Sequence, residues 1–200
     1  MKIDGISTAQ VRIEGVAPLL MHNSRLANPA DPIVQRIKSI TSKHHTKKTE
    51  SDELKLIELE FLGGLYENED VGIHIPSVNV EGCIRDGARI SSKGKAIESG
   101  AQVSPEFIPL IFDGPKTGPA LYKDKRFVDT RPTKLQKSST IMRTRPRFDD
   151  WALEFELAIV DEVISRGDVE TALQKAGMLK GLCDFKPKFG RFVVKHFAWN

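Results

Sequence analysis

The chain has 200 residues, 40% of them hydrophobic and 28% charged, enough for one real core and too apolar for a mostly disordered chain. No run approaches the roughly 18 uninterrupted apolar residues of a membrane span, and the opening MKIDGISTAQVRIEG has no apolar h-region, so neither a membrane nor a secretory leader is expected. Cys83 and Cys183 stand apart from any CxxC or Cys/His cluster, which excludes a disulfide scaffold and a structural zinc site and fits a reducing cytoplasm.

The net charge is only +3, but it is segregated. Residues 123–147 hold nine Lys/Arg against two acids, residues 148–170 eight acids against one Arg, and the last thirty residues six Lys/Arg against Asp184. One basic and one acidic surface are expected. They suit a polyanion partner or head-to-tail assembly, and equally a solvated charged face.

Along the chain, Ala9, Val11 and Ile13 alternate with Gln10, Arg12 and Glu14, so residues 6–14 read as a half-buried strand. Leu19-Leu20-Met21 follows as a short apolar stretch, then a loop rich in Asn and Pro. Residues 24–64 read as a helical insertion. Asp31 caps a helix that starts at Pro32 and carries Ile33, Ile37 and Ile40. A polar basic stretch leads to a second helix with Leu54, Ile57, Phe61 and Leu62, ended by Gly63-Gly64. Residues 65–75 read as a hairpin. Val80, Cys83, Ile84, Gly87 and Ala88 mark a helix capped by Ser77 or Asn79, whose glycines imply close packing.

FIPLIFD, residues 107–113, reads as a strand. Residues 114–150 form a basic excursion in which RFVDTR and STIMRTR alternate, a protruding hairpin or arm. Leu153, Phe155, Leu157 and Ile159 define another strand. Asp168 is expected to cap a helix with the stripe Val169, Ala172, Leu173, Ala176 and Leu179, and GRFVVKHFAW supplies the last strand. Without the excursions the order is βαββαβ, that of an α+β, ferredoxin-like fold in a single domain spanning 1–200.

No nucleotide-loop, dinucleotide, zincin or hydrolase-elbow motif is present, and neither cofactor nor metal is expected. His44-His45 are adjacent and lack a spaced carboxylate, a poor start for a metal site. His22 and Asp31 are the only candidates for loop acid–base chemistry, and Asp31 already has work as a helix cap. The basic excursion is the stronger feature. Arg131, Lys134, Lys137, Arg143, Arg145 and Arg147 recur among small polar residues. The last three alternate, so on a strand they share a face at about 7 Å spacing, close to successive phosphates of an extended single strand. A second candidate is GLCDFKPKFGRF, residues 181–192. It offers Lys186, Lys188 and Arg191 for phosphates and Phe185 and Phe189 for base stacking, between glycines that permit close backbone approach. Arm and loop are expected on the same side of one sheet.

Three segments together resemble the RAMP superfamily, ferredoxin-like proteins that include backbone and processing subunits of CRISPR effectors. VRIEGVAPLLMHN resembles their opening strand and turn. IHIPSVNVEGCIRDGARI resembles their Ile-Pro-x-Ser-x-Lys-Gly-x-x-Arg helix start at Ile75, Pro76, Gly82, Ile84 and Arg85, with Glu81 replacing a basic position. GLCDFKPKFGRFVV resembles the C-terminal glycine-rich loop at Gly181, Gly190 and Arg191, though poorer in glycine. The matches cover about 45 of the 200 residues. The chain is also similar to bacteriophage proteins ending in Gly-x-x-Asp-x-Lys/Arg-Pro-x-x-Gly-Arg-Phe.

The resemblance implies a palm that binds single-stranded RNA or DNA, with 24–64 as web and 114–150 as thumb. It implies a homo-oligomer or filament along the strand, in the cytoplasm of a host cell. Two alternatives stay open: a metal-independent ribonuclease using His22 or Asp31, and a phage structural or host-interaction protein that meets a host defence complex.

Overall fold

The computed structural model describes residues 5–134 and 140–200. The chain is α+β with antiparallel sheets. It opens with β1 (Ile6–Gly15) and β2 (Leu19–Leu20), followed by α1 (Pro32–Thr41) and α2 (Glu50–Gly64). Next come β3 (Glu67–Asn68), β4 (Gly72–Pro76), α3 (Ser77–Ala88), α4 (Gly94–Gly100), β5 (Ala101–Ser104) and β6 (Phe107–Pro109). The remainder is α5 (Gly118–Lys123), β7 (Val128–Lys134), β8 (Thr140–Phe148), β9 (Ala152–Val160), α6 (Arg166–Lys175) and β10 (Phe192–Trp199). No helix among the described residues is long and apolar enough to cross a membrane.

Two compact units emerge, one from the segments up to Leu19, Asn68–Asp113 and Phe148–Asn200, the other from Leu20–Glu67 and Gly114–Arg147. The segments read from the sequence as separate excursions thus make up most of one unit.

In the first unit a four-stranded sheet runs in the order β10-β1-β9-β5, each neighbouring pair antiparallel. Period-two alternation explains its centre. Ala9, Val11 and Ile13 lie opposite Leu157, Phe155 and Leu153, and all six are buried. Of the strand expected at residues 107–113, only Ile111 pairs with this sheet, through an isolated antiparallel bridge to Ala152 of β9. β5 takes that place, while β6 pairs with β4.

Helices α3 and α6 pack closely. A Cβ on Gly87 would sit 2.3 Å from the Ala172 carbonyl, so the glycine is required there; Gly82 has only the Arg85 side chain at 4.0 Å. Two caps differ from expectation. α3 follows Pro76 without a side-chain cap, since Ser77 already lies inside the helix. Asp168 is not the cap of α6: Ser165 is, accepting from the Asp168 amide, and Asp168 accepts back from the Ser165 hydroxyl. After α6 the chain winds into a π-helical turn, Ala176–Lys180, which leaves Leu179 exposed although its stripe partners are buried.

In the second unit, Asp31 caps α1 as its spacing predicts, accepting from the Ile33 amide at 2.8 Å. Thr49 and Asp52 form a capping box on α2. The C-terminal half of α2 is buried nearly all round, including Leu59, Glu60, Phe61, Gly63 and Gly64, whereas Leu54, expected on its apolar stripe, is exposed. Strands β2, β8 and β7 form a three-stranded sheet.

Candidate nucleic-acid interface

The basic excursion is an antiparallel hairpin of β7 and β8, with Arg131 opposite Arg143 and Asp129 opposite Arg145. Directly opposed residues share a face, and alternate residues on one strand do too. Arg131, Arg143, Arg145 and Arg147 therefore lie on one face with Asp129. Pro132 and Pro146 lie opposite Met142 and Val128 respectively, and the register runs unbroken past both.

This face is built rather than merely charged. Asp129 is buried, and both its oxygens accept from Arg131, Nε at 2.5 Å, in a bidentate fork. That hydrogen bond raises the Arg131 pKa further, so its charge is permanent. Arg147 Nη1 lies 3.4 Å from the same carboxylate. Arg143 Nη1 donates to Glu60 at 2.5 Å, and Arg145, only 5% exposed, donates to Thr133 Oγ1 at 3.3 Å. Arg131 and Arg147 thus meet Asp129, and Arg143 meets Glu60. Lys134 is exposed at the end of β7, and Lys137 lies outside the described residues.

The C-terminal loop belongs to the other unit and precedes β10, so arm and loop do not share a sheet as expected. Its glycines have an internal reason. Gly181 and Gly190 both have positive φ, and a Cβ on Gly190 would sit 1.9 Å from the Leu182 carbonyl. Two strands of the loop close there through the Leu182 amide and the Gly190 carbonyl at 2.8 Å. The glycines let backbone meet backbone rather than phosphate.

Phe189, 7% exposed, is core and not a stacking platform. Phe185 is half-buried, held in a left-handed conformation, and meets the Phe189 ring edge-on at 5.8 Å. Lys188 and Arg191 are exposed, Arg191 donating to the Pro187 carbonyl at 2.8 Å, and Lys186 lies 3.6 Å from Asp86.

The outer face of the four-stranded sheet offers a polyanion little. Glu14, Glu154 and Glu156 stand on it, with Arg12 bridging Glu14 and Glu154, and Gln10 donating to Glu156 at 3.0 Å. Of the acidic block, Glu154 and Glu156 lie on this strand face and Asp168 in the first turn of α6.

The candidates for catalysis separate. His22 is exposed, and its carbonyl accepts from the Tyr66 hydroxyl at 3.3 Å. Asp31 is held by the Ile33 amide and by Arg25 at 2.8 Å. Burial pushes its pKa up, but the Arg25 and Ile33 hydrogen bonds outweigh this and leave it below the usual carboxylate range. Among the described residues no group of three or more His, Cys, Asp or Glu is placed to hold a metal ion.

Sequence reasoning missed Glu60. It looked like one acid among several on a charged helix, and its partner is remote in the chain. No protein-family model matches this chain, and no curated protein matches it.

Proposed function

We propose that this chain is a non-enzymatic, sequence-tolerant binder of single-stranded RNA or DNA, a ferredoxin-like protein of the RAMP kind, encoded by a phage and assembling head to tail along the strand. The all-antiparallel order β10-β1-β9-β5, with α3 and α6 as the two crossing helices, supports the ferredoxin-like reading. The observation that carries the binding role is the hairpin face. Arg131, Arg143, Arg145 and Arg147 lie together there in register, and Asp129 and Glu60 orient Arg131, Arg147 and Arg143.

A guanidinium has five donors in a flat fork, so one that binds a carboxylate can also meet a phosphate oxygen. Lys134 adds exposed positive charge at the end of β7.

Fluorescence anisotropy with a labelled single-stranded oligonucleotide tests this. Micromolar or tighter binding is expected, at least tenfold weaker (roughly 1.4 kcal/mol) when Arg131, Arg143 and Arg147 all become Gln. Equal affinity in a variant whose folding is intact by circular dichroism would count directly against the proposal.

A further inference from the structure

The second unit contains a pocket of about 260 Å³, bounded on one side by Arg143 of the arginine face. Its apolar side is made by Leu26, Val34 and Ile37, its polar side by His22, Glu60, Arg143 and Thr144. Glu60 is 6% exposed, a costly place for a carboxylate unless its lone pairs are met. One oxygen accepts from Arg143 Nη1 at 2.5 Å and the other from the Thr144 amide at 2.9 Å. A carboxylate has about four acceptor positions, so two remain.

The volume lies below the roughly 300–1,000 Å³ of sites for drug-sized ligands, which limits the occupant to a single flat ring system. Apolar walls suit the faces of such a ring. One remaining acceptor position on each oxygen suits a pair of adjacent N–H donors on its edge. Among the nucleobases guanine alone presents that pair on its Watson–Crick edge, N1–H and N2–H. Cytosine and adenine offer one amino group there, and uracil one ring N–H. Single-strand binders commonly read splayed bases on this edge. Arg143 bounds both the pocket and the hairpin face, so a backbone held by the arginines has a base receptor beside it.

We propose that this pocket receives one guanine base turned out of the bound strand, with Glu60 accepting from N1–H and N2–H. The inference rests on the single-strand reading and deepens it, giving an otherwise tolerant binder a preference at one nucleotide per subunit.

The test compares two labelled strands of equal length, all uridine and uridine with one central guanine, on the same protein. Wild type binds the guanine strand about tenfold tighter, the discrimination of one good bidentate pair. Glu60→Gln, which replaces one acceptor by a donor, and Ile37→Trp, which fills the pocket from its apolar side, each bring the ratio to about one. Because the readout is a ratio within one preparation, a partly unfolded sample does not mimic the result.

A wild-type ratio near one, or a ratio that survives both variants, overturns the pocket while leaving the single-strand reading in place. If neither strand binds, that reading fails, and calorimetry with guanosine monophosphate decides the pocket alone. Saturable binding lost in Glu60→Gln sustains it, and no binding overturns it.

Discussion

Arg143 and Glu60 are 83 residues apart in sequence, yet Nη1 and Oε1 meet at 2.5 Å, joining β8 to the buried half of α2. The adjacent Thr144 amide takes the second oxygen. One carboxylate therefore satisfies a strand N–H and fixes the direction of a guanidinium on the proposed binding face.

Glu60→Ala leaves a buried amide and a partly covered guanidinium without their acceptor. It is expected to lower stability by about 1–3 kcal/mol, with Glu60→Gln losing less because it keeps an acceptor for one of them. Urea denaturation of the purified variants measures this. An alanine variant as stable as wild type would show that the pair contributes nothing to the unit.

Gly87 and Gly82 lie on one helix but face different surroundings. Gly87→Ala drives a methyl against the Ala172 carbonyl and the Ala176 backbone, and is expected to cost about 1–3 kcal/mol by overpacking. Gly82→Ala meets no such obstacle and is expected to be stabilising by up to about 1 kcal/mol through helix propensity. Opposite signs in the shift of the thermal midpoint confirm the close approach of α3 and α6; equal shifts contradict it.

Burial raises the Cys83 thiol from 9.0 to about 12, and its sulfur donates to the Gly181 carbonyl at 3.2 Å. An unfolded chain releases that proton at the ordinary value. Between about pH 9 and 12 the unfolded state thus loses a proton that the folded state keeps, and stability falls across this window. Below it Cys83 adds no pH dependence. The loss of stability from neutral to alkaline pH is expected to be larger in wild type than in Cys83→Ala, and Cys83 resists alkylation in the folded protein. Ready alkylation at neutral pH would contradict this burial.

The ribonuclease alternative is separated by incubating labelled RNA with the protein. The strand is expected to stay intact with wild type and with His22→Ala alike, since Asp31 is committed to its cap and to Arg25. Cleavage that disappears in His22→Ala would replace the binder with an enzyme.

Strands with one buried face were legible in the sequence, because alternation in Ile6–Gly15 and Ala152–Val160 records that face directly. β5 was not. Ala101-Gln-Val-Ser is an edge strand with Val103 as its single buried residue, too little pattern to register. The apolar run at 107–113 misled for the opposite reason: Phe107 and Ile111 are exposed, β6 pairs with β4, and only Ile111 bridges to β9.

The arginine face was readable because hairpin alternation is local. The partners that orient it were only partly so. Asp129 lies on the same strand as Arg131, but Glu60 comes from a helix far away in the chain. The pocket was invisible for the same reason, its residues coming from four separate stretches of the second unit. Glycine in the C-terminal loop was misleading because sequence does not tell close approach to a phosphate from close approach to Leu182.

The most direct measurement of the central claim is the salt dependence of oligonucleotide affinity. If the arginine face holds phosphates, log affinity falls linearly with log salt, with a slope of about −0.7 per contact for single strands. Changing Arg131, Arg143 and Arg147 to Gln then flattens that slope by about two. A slope near zero in wild type, or one left unchanged in the triple variant, would contradict a phosphate-binding hairpin.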